Sequence, residues 1–181
     1  MAGPATISST VAASPVAPAA KRMTLNGVVI SERSLQRANQ TGGVPYPQGG
    51  VIEIDVAWLE AESRRAYAAT VQVDAARLAT FGGRGDHGRL DVLLGPGADV
   101  TVTTPAQSEL DRAASNAPID TTTPVAAATT LVATCARRLS GSDPRVADLA
   151  AGIEDFALRR VLRNRDAFLA RNPRPASRCG D

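Results

Sequence analysis

The chain has 181 residues, 44% of them hydrophobic, with 20 Lys and Arg against 18 Asp and Glu for a formal net charge of +2. That is enough for one domain with a real core, and it excludes a wholly disordered polymer. Two cysteines and a single histidine, His87, exclude a closely spaced zinc site, and no apolar run of about 18 residues exists to span a bilayer.

Residues 1–20 (MAGPATISSTVAASPVAPAA) hold small residues and prolines, with no period and no large core side chain. That composition predicts a flexible arm over residues 1–22, with few contacts between residues 1–20 and their own subunit. Lys21 and Arg22 follow the apolar stretch instead of preceding it, against the order of a signal peptide. Met23–Ile30 reads as a short β segment turned by Asn26-Gly27. Ser31 then suits the cap of a short helix to Asn39, and residues 40–50 read as a loop. Val51–Ile54 suits one more short strand.

Asp55 reads as the N-cap of a helix carrying Trp58, Leu59, Glu62 and Tyr67 as far as Thr80, although the β-branched Thr70–Val73 leaves a break or a strand open. Gly82–Gly88 is a glycine loop. Arg89–Leu94 and Asp99–Thr103, split by Gly95-Pro96-Gly97-Ala98, form the best hairpin pattern in the chain. Thr104-Pro105, Thr123-Pro124 and Asp143-Pro144 each set a capping oxygen before a proline, which predicts three helix starts. The second helix is expected to run to Leu139. The third is expected to run from Pro144 to Arg171, where Pro173 stops it. Trp58, Val132, Leu149, Ile153 and Phe156 are the expected core. Cys135 falls in the second helix as a small core residue, Cys179 is expected to be exposed, and nothing argues for a disulfide.

The expected fold is therefore mainly α: a helical bundle with a small β-hairpin element and extended N- and C-terminal arms. Its parts are a flexible arm (1–22), one helical domain (23–172) and a C-terminal tail (173–181).

Catalytic patterns do not withstand their context. Gly83–Gly88 matches G-x-G-x-x-G, but a helix is expected before it and a strand after it, the reverse of a dinucleotide site. Arg84-Gly85-Asp86 is a short adhesion-type tripeptide in a solvated turn. His87 has Asp86 beside it and no recognisable nucleophile. Glu53, Asp55, Glu60 and Glu62 form no carboxylate site, since Asp55 reads as an N-cap and Glu60 and Glu62 as solvated positions. No catalytic, cofactor-binding or metal-binding residue is assigned.

Charge is sorted along the chain. Residues 159–181 carry seven arginines against Asp166 and Asp181, while residues 51–158 hold fifteen acids against nine arginines. Arginine suits phosphate and carboxylate. Arg159, Arg160, Arg163 and Arg171 are the candidate nucleic-acid contacts, directed at the backbone and indifferent to sequence because no aromatics interleave them. Pairing with the acidic middle of a neighbouring copy is the rival.

These features predict a non-enzymatic self-assembly subunit, a viral or phage coat-type protein, in a virion or the cytoplasm. Copies of itself are the expected partners, with nucleic-acid backbone as a second partner and no membrane. A helical nucleic-acid-binding or regulatory module is the alternative, and an enzyme of unrecognised class a remote one.

Overall fold

Strands are where the sequence alternates. In Val51–Glu60 (VIEIDVAWLE), Ile52, Ile54, Val56 and Trp58 are buried while Val51, Glu53 and Asp55 face out. That period of two is the mark of a half-buried strand. A computed structural model describes residues 5–14, 19–32, 39–47, 49–81, 87–115, 124–153 and 155–180. It has 46% strand and 23% helix, arranged as two sheets with four short helices. The helical bundle is thereby overturned.

Eleven strands are described: β1 (Thr6–Ala13), β2 (Ala19–Leu25), β3 (Val28–Glu32), β4 (Asn39–Pro45), β5 (Val51–Glu60), β6 (Ala66–Asp74), β7 (Ala79–Phe81), β8 (His87–Leu94), β9 (Asp99–Thr104), β10 (Thr129–Cys135) and β11 (Arg137–Arg138). The first sheet runs β10-β9-β8-β1-β4, with β7 also paired to β8. The second runs β11-β6-β5-β2-β3. All pairs are antiparallel except β1 with β8, which lie parallel from Thr6 beside His87 to Ala13 beside Leu94. The helices are α1 (Gln107–Ala114), α2 (Pro144–Ala151), α3 (Asp155–Arg163) and α4 (Arg165–Arg171).

The core lies between the sheets. Ile7, Val11, Leu90, Val92 and Val102 of the first meet Met23, Leu25, Ile54, Trp58 and Val73 of the second. Trp58 stacks at a tilt on Tyr67, with ring centroids 5.4 Å apart. A smaller cluster covers the outer face of the second sheet, where Leu149 and Val146 of α2 pack on Ala57, Leu59, Ala66 and Ala68.

The expected N-terminal arm is instead an interior strand. Thr6–Ala13 alternates, with Ile7, Ser9 and Val11 buried, and pairs on both sides. Small residues suit a strand that two neighbours flank. The helix expected from Asp55 to Thr80 is the β5–β6 hairpin, as the Thr70–Val73 run had allowed. Asp55 caps nothing and accepts from the Thr70 hydroxyl across the ladder.

The helix expected from Pro124 to Leu139 is β10 and β11, and Thr123 lies outside the described residues. TTLVATC is β-branched, which favours a pleated surface. The third start holds: Asp143 caps α2 and accepts from Arg145 N–H, with Pro144 in the first turn. The single helix from Pro144 to Arg171 breaks at Gly152 and again at Asn164. The Asn26-Gly27 hairpin is present, with both residues at positive φ (49° and 79°). Ser31 and Asn39 belong to β3 and β4, and residues 33–38, where the short helix was expected, are outside the described set.

Candidate functional site

The C-terminal segment carries the predicted arginines. On α3 a step of 100° per residue puts Phe156, Arg159, Arg160 and Arg163 on one face, with Leu158 and Leu162 opposite. Leu158 is buried and Leu162 half-exposed. Phe156, placed in the core from sequence, is 68% exposed among the three arginines, which are also exposed. None of the three makes an ion pair within the described residues. Arg171 closes α4, exposed and separated from them by the Asn164 break.

The other C-terminal arginines are bound to their own chain. Arg165 and Arg174 share the Glu62 carboxylate at 2.7 and 2.8 Å. The Arg178 backbone N–H donates to Asp99 at 3.1 Å, and its guanidinium to Thr101 Oγ1 at 3.0 Å. A disulfide, Cys135–Cys179, pins the tail to the end of β10 with Cα atoms 5.5 Å apart. Sequence spacing does not announce it, because 44 residues separate the two cysteines. Asp99 and the two sulfurs lie within 4.8 Å of one another, but sulfurs joined to each other are not thiolate ligands.

Glu60, expected in solvent, is 2% exposed. It accepts from Gly97 N–H at 2.6 Å and from Ser63 Oγ at 2.6 Å. Gly97 sits in the β8–β9 turn at φ 63°, a conformation that glycine supplies at no steric cost. Glu60 therefore ties that turn to the end of the second sheet. His87 opens β8, where its Nδ1 lies 2.5 Å from Thr6 Oγ1 and its ring stacks on Phe81. Residues 82–86, including Arg84-Gly85-Asp86, lie outside the described residues. Gly88 has a packing reason, since an added Cβ would lie 2.9 Å from Leu78 Cδ1 and 3.2 Å from Tyr46 Oη.

The outer face of the second sheet carries a pocket of about 620 Å³ beside α2. Register fixes its floor. Arg22 pairs with Ala57, Ala57 with Ala68, and Ala68 with Arg137, so two arginines bracket two alanines in one row across four strands. The next row is Thr24, Asp55 and Thr70. Arg145 and Asp148 of α2 close the side. Asp143 holds Arg145 through Nε and Nη2 at 2.9 and 2.6 Å, and this bridge pulls the Asp143 carboxyl down to about 2. Arg145 is raised first by the same bridge and more weakly by Asp55, which lies within electrostatic reach. The sequence reading missed this pocket because it placed Asp55 and Arg137 on helices.

No family model, curated protein or solved structure matches the chain. Among the described residues no helix is long and apolar enough to cross a membrane. The coat-type expectation drew on an α-helical bundle with arginines facing RNA, and the β-sandwich removes that basis.

Proposed function

We propose that the chain is a non-enzymatic self-assembly subunit whose copies join head to tail through α3 and α4. The observation that carries this reading is Phe156, 68% exposed, on the same face of α3 as the exposed Arg159, Arg160 and Arg163. An aromatic anchor in a rim of arginine is the composition of an interface centre.

The complementary surface lies at the other end of the second sheet. Val28, Val29 and Val51 are exposed there, and Glu53 and Asp74 are exposed beside Val51. The Asn26 side chain ties the β2–β3 turn to Glu53, which brings the valines to the same end. The α4 end is anchored to Glu62, just beyond the last residue of β5. Ten strand residues separate the two ends, about 30 Å. A subunit cannot close that distance on itself, so the basic apolar face of one copy meets the acidic valine face of the next. Unlike faces produce rings or filaments.

Light scattering after size exclusion tests this across protein concentration and salt. Assemblies should grow with concentration and dissociate as salt rises. Phe156→Ser should give monomers of unchanged melting temperature. Arg160→Glu should weaken assembly, and adding Glu53→Arg should restore it. A wild-type monomer at every concentration would sink the reading.

A further inference from the structure

The pocket on the outer face of the second sheet is a second candidate site, independent of the α3 face. Its size falls within the 300–1,000 Å³ of small-molecule sites. Packing shapes it: Leu149 of α2 lies against Leu59, Ala66 and Leu139, while Ala57 and Ala68 of the adjoining row, in the same cluster, fill little space with their small side chains. The arginines at either end of that row stand about 14 Å apart along the backbone, three strand spacings.

Two guanidinium groups there keep donors for an occupant. The Arg137 guanidinium is exposed, lies within electrostatic reach of Asp143, and makes no side-chain hydrogen bond or ion pair within the described residues. Arg145 is held rigid by Asp143 through Nε and Nη2, which leaves Nη1 unengaged among the described residues. A fixed guanidinium presents donors with less entropy to lose. The arginines favour an anion and the acids limit its charge: Asp55 and Asp148 share the rim with Arg22, Arg137 and Arg145, and Asp143 already balances Arg145. A dianionic phosphate would meet those carboxylates, whereas one carboxylate on Arg137 would not overload the site. Among the described residues Asp55 hydrogen-bonds through Oδ1 alone, to Thr70, which leaves Oδ2 as an acceptor.

We propose that this pocket binds a small organic carboxylate, gripped by Arg137 and Arg145, whose ammonium or hydroxyl groups donate to Asp55 and Asp148. The two sources of that chemistry are a sugar acid and a short peptide. Calorimetry and amide chemical shifts on the full chain distinguish them, with D-glucuronate and trialanine as probes. Glucose and inorganic phosphate are the controls.

One of the two carboxylates should bind saturably, moving the amides of Ala57, Ala68 and Arg137, with glucose silent and phosphate weaker. Arg137→Gln should weaken that binding about tenfold, the worth of one charge-assisted hydrogen bond, and Arg137→Lys should recover only part of it. Asp148→Asn, at an exposed helix position, should weaken it less and serves as a second variant. The proposal fails if neither carboxylate saturates by about 10 mM. It fails equally if phosphate competes as well as the carboxylates do, or if Arg137→Gln and Asp148→Asn both bind normally while melting as the wild type.

Discussion

Reducing Cys135–Cys179 should destabilise the whole sandwich. The bond closes a loop of 44 residues that includes β11 and the three C-terminal helices. Loop-closure entropy for that length is worth about 4 kcal/mol at 25 °C, exerted mainly on the unfolded chain. Unfolding entropy for 181 residues converts this to a fall in melting temperature of about 10 °C. The folded state should change little, because Asp99 still holds Ser177 and the Arg178 backbone, and Glu62 still holds Arg174. Differential scanning calorimetry of wild type with and without reductant, and of Cys135→Ser with Cys179→Ser, measures the shift. Amide spectra should move only near residues 134–136 and 177–180. A melting temperature unchanged to within about 2 °C would refute the argument. A tail that detaches on reduction while the body melts as before would place the effect on native contacts instead.

Three further outcomes follow from buried or exposed single groups. Glu60→Ala strands the Gly97 N–H, and should cost about 1–3 kcal/mol in urea unfolding, with Glu60→Gln milder because an amide oxygen still accepts. Lys21 is fully buried and burial lowers its ammonium to about 8, so above that pH the unfolded chain binds more protons than the folded one. Stability should therefore rise between about pH 8 and 9.5, short of the range where Tyr67, raised mainly by burial, acts in the opposite sense; Lys21→Met should abolish the slope, and a flat wild-type profile would contradict this. Trp58→Ala should cost about 3–5 kcal/mol, while Phe156→Ser should cost the monomer under about 0.5 kcal/mol, a contrast that chemical unfolding of both variants checks.

Local turn chemistry is legible in the sequence, whereas the period of the long segments is masked by competing helix signals. Asn26-Gly27, the glycine-split hairpin of β8 and β9, and the Asp143-Pro144 cap all stand where turn and cap rules put them. Those signals depend on a few neighbouring residues. The β5 strand fails differently. Its Ile-x-Ile-x-Val-x-Trp alternation was present, but Asp55 before an apolar run also satisfies a helix start, and alanines at 57, 61 and 66 suit either state. Thr123-Pro124 shows the limit of caps: a competent start cannot make a helix of Thr129–Cys135, whose branched side chains pack better on β9. The pocket was invisible for the same reason. Arg22 and Arg137 are 115 positions apart, and only strand register sets them in one row.

The C-terminal arginines divide by what the body offers them. Arg165, Arg174 and Arg178 each find an acid of the sandwich, Glu62 or Asp99, so part of the charge polarity of the sequence is neutralised within one chain. These contacts share a purpose with the disulfide, since all of them hold the tail along the body. Arg159, Arg160 and Arg163 differ. They sit on a helix whose exposed face also carries Phe156, and they make no ion pair among the described residues. A cluster that served only the helix dipole would need one or two cations at the last turn and no aromatic. A phosphate track would continue past Arg163, yet the helix breaks at Asn164 and the next arginine is already committed to Glu62. A compact patch of one phenylalanine and three arginines fits a protein face of matching size, and the Val51–Glu53–Asp74 surface of another copy has the complementary sign. Charge reversal at Arg160 with compensation at Glu53 is the sharpest test, because only direct pairing between copies predicts that two damaging substitutions repair each other.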